Sequence, residues 1–313
     1  MNRRQTIPKE LRYTLDQFNA DFPNDDVCLD HIKNQRWPDG VTFCQKCEQE
    51  RKHYRVSGRT AYACDHCGNH IYPLAGTVFE KSTTSLRLWF YAMYLMGSTR
   101  CGISAKQIQR ELGVTYKTAW RMFRQIRSLL AEDIKLEGYS VEMDETIMGG
   151  RRKGMKGRPP AGDLKKKCVV GIAERNGGRV YATVANDATR MTLHGIAKER
   201  ILPESVVFTD EWPAYHGLEN AGYEHRRINH SAGVYVVGDV HTNTIEGFWS
   251  LVKRGIGGVY HAVGAKYLQT YLDEYTFRYN RRNMGNLIFT EILKKVSERA
   301  SERPAPRCEE SPA

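Results

Sequence analysis

Residues 139–146 read YSVEMDET. Val141 and Met143 alternate with polar neighbours, the period of two that gives a strand one apolar face. The strand is expected to end at Asp144, next to Glu145. Downstream, KCVVGIAE at 167–174 reads as a compact second strand and RVYATVA at 179–185 as a third. Asn176-Gly177-Gly178 between them is a hairpin-turn signal. A helix is expected over 190–202. VVFTDE at 206–211 reads as a buried fourth strand ending in Asp210, and EHRRI at 224–228 as a fifth. Helices follow over 244–254 and 263–282.

Three strands in a hairpin series, then helices alternating with strands, make an α/β domain with a mixed sheet. That order is the ribonuclease-H-like topology. The first and fourth strands can be neighbours in such a sheet, which places Asp144 and Asp210 at one edge. Glu246 then comes from the first turns of a later helix packed across that edge. The spacings are 66 and 36 positions. Phosphoryl transfer uses two divalent ions about 3.5–4 Å apart, and magnesium takes oxygen ligands. Three converging carboxylates without a cation would repel one another and raise their pKa values. Glu145 and Glu211 are adjacent alternatives that period-two alternation turns away. Asp187 and Asp239 are loop candidates with structural roles.

Upstream, CQKC at 44–47 and CDHC at 64–67 can present four thiolates to one tetrahedral zinc. Lys52–Val56 and Thr60–Ala63 read as a hairpin turned at Ser57-Gly58, and NHIYPLAGTVFE at 69–80 as a further short strand. Knuckle, hairpin, knuckle, strand is the plan of a zinc ribbon. So small a core draws much of its folding energy from the metal, and a four-thiolate site has no open position for water. A redox pair is the alternative, but one CxxC would suffice for it. Arg51, Lys52, Arg55 and Arg59 could grip DNA, or the module could contact protein. Cys28 and His31 are expected to pack nearby rather than to ligate.

Residues 82–97, STTSLRLWFYAMYLMG, read as a capped apolar helix. Then Ala105–Leu112, a break at Gly113, a cap at Thr115 and a helix to about Leu130 give the helix-turn-helix layout. Tyr116, Lys117, Thr118 and Arg121 lie at the start of the second helix, where they could face a groove or phosphates. Arg124 and Arg127 extend the basic face. A helical bundle without DNA contact stays open as the alternative.

Composition is consistent with a polyanionic partner. The 313 residues carry a formal net charge of +11 and a sequence pI near 9.2. The opening MNRRQTIPKELRY lacks the apolar core of a signal peptide, and no run approaches the ~18 apolar residues of a membrane span. A cytoplasmic protein without a membrane partner is expected. Four of the eight cysteines form the CxxC pairs, the pattern of a thiolate site in a reducing compartment. RRKGMKGRPPAGDLKKK at 151–167 reads as a basic loop able to contact phosphates.

VEMDETIMGG at 141–150, VVFTDEWPAY at 206–215, HTNTIEGFWSLVKRGIGGVYH at 241–261 and YLDEYTFRYNRR at 271–282 together carry a more specific signal. With the ribbon, the chain resembles the zinc-ribbon DDE transposases of bacterial insertion sequences, the group with an ISXO2-like catalytic domain, over roughly residues 20–290. The resemblance implies a triad of Asp144, Asp210 and Glu246 holding Mg2+ or Mn2+, beside structural Zn2+ on Cys44, Cys47, Cys64 and Cys67. Lys253, two helical turns after Glu246, shares its face and is implied to contact terminal bases or phosphate, with Arg254 also facing DNA. Asn243 is a rival or auxiliary ligand, since related groups carry Asn or His in the last acidic place. The implied partners are double-stranded DNA, as transposon ends and target, and a second copy of the chain. The expected domains are an extension and ribbon (1–78), a helical helix-turn-helix region (79–136), a ribonuclease-H-like DDE catalytic domain (137–292) and a disordered tail (293–313). A DNA-binding regulator, an inactive transposase derivative and a nuclease of the same fold are the rival readings.

Overall fold

The computed structural model describes residues 7–99, 101–149, 166–227 and 242–302. Asp239, all but the last two residues of the basic segment 151–167, and Cys308 lie outside the described residues. The chain divides into two compact units. The first holds Met1–Thr99, Ala105–Leu129 and Asn283–Ala313, and the second holds Arg100–Ser104 and Leu130–Arg282. Ribbon and basic helices, expected as two domains, thus fall in one unit.

In the first unit, helix α1 (Leu15–Asp21) starts at a reciprocal cap, with Thr14 and Gln17 each bonding the other's backbone. Helix α2 (Asp25–Arg36) is capped by Asn24. It buries Cys28 and carries Asp30, which accepts from the Tyr62 hydroxyl of the ribbon. The ribbon is an antiparallel sheet of β1 (Val41–Cys44), β2 (Gln49–Arg55), β3 (Tyr62–Cys64) and β4 (His70–Ile71), in that order. Of the strand expected over 69–80, only His70 and Ile71 form. Pro73 has no amide to donate, and turns follow it.

Helix α3 (Leu86–Ser98) buries Trp89, Phe90, Met93 and Met96. Helices α4 (Ala105–Leu112) and α5 (Tyr116–Ser128) are separated by Gly113, whose φ of +65° a side chain would resist. Thr115 caps α5 by accepting from the Thr118 amide at 3.2 Å.

The second unit is a five-stranded sheet with α6 (Arg190–Arg200) on one face and α7 (Asn243–Gly255) and α8 (Leu268–Asn280) on the other. Its strands are β5 (Ser140–Gly149), β6 (Lys166–Glu174), β7 (Val180–Ala185), β8 (Val206–Thr209) and β9 (Glu224–Arg227). Their order is β7-β6-β5-β8-β9. The first three strands pair antiparallel, while β5–β8 and β8–β9 pair parallel. Asp144 does not end its strand as expected. Pairing with β6 continues to Gly149, so Asp144 sits mid-strand opposite Gly171. Val141, Met143, Val170, Ile172 and Val207 pack with Leu193 and Ala197 of α6. Val169, Ala173 and Ala182 pack with Ile245, Phe248, Trp249, Leu272 and Tyr275.

Helix α9 (Ile288–Glu302) belongs to the first unit. A tail was expected from residue 293, but Phe289, Ile292, Leu293 and Val296 recur at helical spacing and are buried. Phe289 lies in an aromatic cluster with Tyr13, Phe18, Phe22 and Tyr94. No helix among the described residues is long and apolar enough to cross a membrane.

Candidate active site

The parallel ladder between β5 and β8 fixes the site. Glu142 pairs with Phe208, so two residues further on Asp144 stands level with Asp210, just past the end of β8. Alternation puts Glu142, Asp144 and Asp210 on the face covered by α7. The Trp249 indole of α7 donates to Asp144 Oδ2 at 2.9 Å. The ring fits there because residue 171 is glycine. A Cβ at that position would collide with the Trp249 ring and lie 2.8 Å from Ile245 Cδ1. Asp210 is held by the Trp212 amide, which donates to Oδ1 at 3.0 Å. The hydroxyl of Thr209, beside it, pairs with buried His225 Nε2 at 2.9 Å.

Charge makes the pocket distinctive. Burial, then the neighbouring carboxylates of Glu145 and Asp210, push Asp144 up to about 7, against the opposing indole bond. That is the repulsion that a bound cation would relieve. Glu145 points to the opposite face as alternation requires, and accepts from the buried Tyr215 hydroxyl at 2.6 Å. Glu211 is exposed. Asp187 accepts from Thr189 and Thr192 at the start of α6, a structural task.

Glu246 lies in the first turn of α7, exposed, with Oε1 accepting from the Thr242 hydroxyl at 2.9 Å. Asn243, Lys253 and Arg254 are exposed on the same helix. Among the described residues, only Cys44, Cys47, Cys64 and Cys67 form a group of three or more metal-donor side chains with all donor atoms within 4.8 Å. Asp144, Asp210 and Glu246 are therefore not gathered that tightly. Glu142, which the sequence reading passed over, is wholly buried beside them and bonds the start of α7. Its place in the alternation gave its face, but not its partner.

The cysteines suit zinc. Sγ–Sγ separations of 3.5 Å (Cys44–Cys67) and 3.8 Å (Cys47–Cys64) approach the edge of about 3.8 Å set by a tetrahedron with Zn–S near 2.3 Å. Burial pushes the Cys44 thiol up, but the Cys47 amide and the Cys67 and Cys64 thiols outweigh it and bring it down to about 6. Cys28 is not in the cluster.

On α5, Tyr116, Lys117 and Arg124 are exposed and Thr118 is half-buried. The Arg121 guanidinium bonds Ser82 Oγ at 3.2 Å. Arg127 departs from the expected basic face. It is buried, with its guanidinium 3.6 Å from the centre of the Phe123 ring.

Residues 135–280 match the family described as the ISXO2-like transposase domain, and residues 23–70 match the transposase zinc-ribbon domain. The chain is also 31% identical over 283 residues to an uncharacterized protein in transposable element ISH50 of Halobacterium salinarum, covering 85% of this chain and 93% of that protein. The chain belongs to the zinc-ribbon transposases of insertion sequences. An uncharacterized transposase-like protein of Haemophilus influenzae is 30% identical over 118 residues, which is 38% of this transposase and 93% of that protein. A chain of a simian T-cell lymphotropic virus intasome, solved with PP2A regulatory subunit B56 gamma, is 15% identical with a TM-score of 0.29, covering 60% of this chain and 65% of that one. At that score the likeness is no measure of a shared fold. Asp144, Asp210, Glu246 and Lys253 all fall within the matched transposase domain, and the four cysteines within the matched ribbon, which is a structural zinc site.

Proposed function

We propose that this transposase cuts DNA at the ends of its insertion sequence and joins the freed 3'-OH to target DNA, with Asp144, Asp210 and Glu246 as the metal-bearing carboxylates of a ribonuclease-H-like domain. The observation that carries this is the level placement of Asp144 and Asp210 on adjacent parallel strands, with Asp144 pushed to about 7 by burial and by its acidic neighbours. Surface carboxylates with structural tasks do not need that environment. The strand order, three antiparallel strands continued beyond β5 by two parallel ones, supports the fold assignment. The α4–turn–α5 unit with exposed Tyr116, Lys117 and Arg124 supports a helix-turn-helix that binds DNA.

Magnesium or manganese, when bound, would activate the attacking oxygen and stabilise the leaving one. The protein's own part is positioning. The Trp249 indole fixes one oxygen of Asp144, and the Trp212 amide orients Asp210. Glu246 comes in from the first turn of α7, and Asn243, three residues earlier at the start of the helix, is the alternative ligand. Lys253 and Arg254, two turns on, offer positive charge to the DNA backbone. Water attacks first, releasing a 3'-OH, and that hydroxyl attacks the target strand in a second in-line transfer. Bringing two ends together calls for at least a dimer on DNA.

The test is a labelled transposon-end duplex with magnesium, using wild type, Asp144→Ala and Glu246→Ala. Nicked and joined products from wild type, reduced by at least about 10³-fold in both variants, are expected. End binding without cleavage would favour a regulator or inactive derivative. Cleavage without joined product would favour a nuclease.

A further inference from the structure

We propose that Glu142 is a positioning residue, capping α7 from the neighbouring strand and setting where Glu246 stands relative to Asp144. Its consequence for metal binding rests on the carboxylate reading above, while the cap itself stands on geometry. A helix leaves its first amides without partners, and the preceding side chain normally accepts from the second or third of them. Thr242 precedes α7 but makes no such bond, because its hydroxyl is turned to Glu246 Oε1. Glu142 fills the vacant role from β5. Its Oε2 accepts the Thr244 and Ile245 amides at 2.7 and 2.9 Å, and its Oε1 accepts the Thr244 hydroxyl at 3.0 Å.

The carboxylate has no exposed surface, and Arg175 Nε donates to Oε1 at 3.2 Å. The Arg175 side chain is only 9% exposed, with its guanidinium 4.1 Å from the centre of the Phe208 ring. A negative group at a helix N-terminus and beside a guanidinium is stabilised by both. Glu142 and Asp144 are two residues apart on one strand, on one face. Helix α7 is therefore fastened to β5 twice, by its second and third amides on Glu142 and by Trp249 on Asp144. Glu246 lies between the two fastenings. Loss of the first frees the turn that carries Glu246 while leaving Asp144 and Asp210 in place.

The full chain would be studied by hydrogen exchange over the first turn of α7 and by Mn2+ titration followed by electron paramagnetic resonance, as wild type, Glu142→Ala and Glu142→Gln/Arg175→Met. For Glu142→Ala, exchange in residues 243–246 should rise at least about tenfold with the β5–β6 strands unchanged, and Mn2+ affinity should fall about 10- to 100-fold. A Gln carbonyl can keep both amide bonds, but its amino group would meet the Arg175 Nε donor, so Arg175 is replaced with it, and Glu142→Gln/Arg175→Met should return both readouts to within about threefold of wild type. If Glu142→Ala does not fold, the double variant Glu142→Met/Arg175→Met replaces the buried ion pair with apolar side chains, and should show the same loss of protection and affinity. A folded Glu142→Ala or Glu142→Met/Arg175→Met variant with wild-type exchange at the start of α7 overturns the cap. Glu142→Gln/Arg175→Met as damaged as Glu142→Ala also overturns it, since an acceptor for the two amides would then not be what holds the turn. Wild type that binds no Mn2+ overturns the carboxylate site instead, and the exchange result still decides the cap.

Discussion

Asp144 is held in a setting that disfavours its charged form, which has a consequence for stability. Its folded-state pKa, about 7, lies above the usual carboxylate value near 3.8. A raised pKa means that the folded state binds the proton more tightly than the unfolded state. This residue's contribution is therefore fully stabilising below about pH 4 and is lost as pH rises through 7. Asp144→Asn keeps an acceptor for the Trp249 indole and removes the charge. With no magnesium or manganese added, it should be more stable than wild type by about 2 kcal/mol at pH 8, allowing for partial screening. The gain should shrink steadily toward pH 5, as read from urea unfolding at each pH. The same variant should lose cleavage. Asp144 and Asp210 could be found in the sequence because each follows an apolar strand pattern. Glu142 could not, since nothing in VEMDET says which helix covers that face. Arg127 was misplaced because spacing on α5 does not reveal Phe123 as its stacking partner.

At the level of elements, α7 is docked to the sheet through a gap that glycine leaves. Gly171→Ala places a methyl against Trp249 and Ile245. The overpacking should cost about 1–3 kcal/mol, with Asp144 losing its indole partner as the helix moves outward. Thermal unfolding and Trp249 fluorescence would report the two effects, and unchanged values in both would mean that the helix is not held as described. The ribbon depends on its metal in a different way. Stoichiometric zinc should leave on strong chelation, after which residues 41–72 become protease-sensitive while the β5–β9 sheet stays protected. Limited proteolysis with and without chelator checks this. The ribbon's knuckles were legible from spacing alone. Strand β1 was not read, because VTFC at 41–44 is too short to show alternation. Strands β5–β8 were readable because each carries apolar residues in alternation or in a run, whereas EHRR of β9 has neither. The extent of β5 was not, since its last residues pair with β6 rather than following any apolar pattern.

For the whole molecule, the net charge of +11 and the exposed cations of α5 and α7 predict an electrostatic contribution to DNA binding. Affinity for an end duplex should fall by at least about tenfold between 50 and 200 mM salt, and Lys253→Ala should weaken it further while lowering the salt slope. A salt-independent affinity would contradict this. The two-unit division was only partly legible, because α9, which begins at Ile288, contributes its apolar face to a unit that begins at Met1, a long-range pairing that composition cannot show. The most direct measurement of the central claim is anomalous scattering from Mn2+ in crystals of the transposase bound to its end duplex. The account predicts a peak ligated by Asp144 and Asp210, with Glu246 completing the set. Mn2+ absent from the pair of aspartates, or held there with Asn243 in place of Glu246, would contradict it.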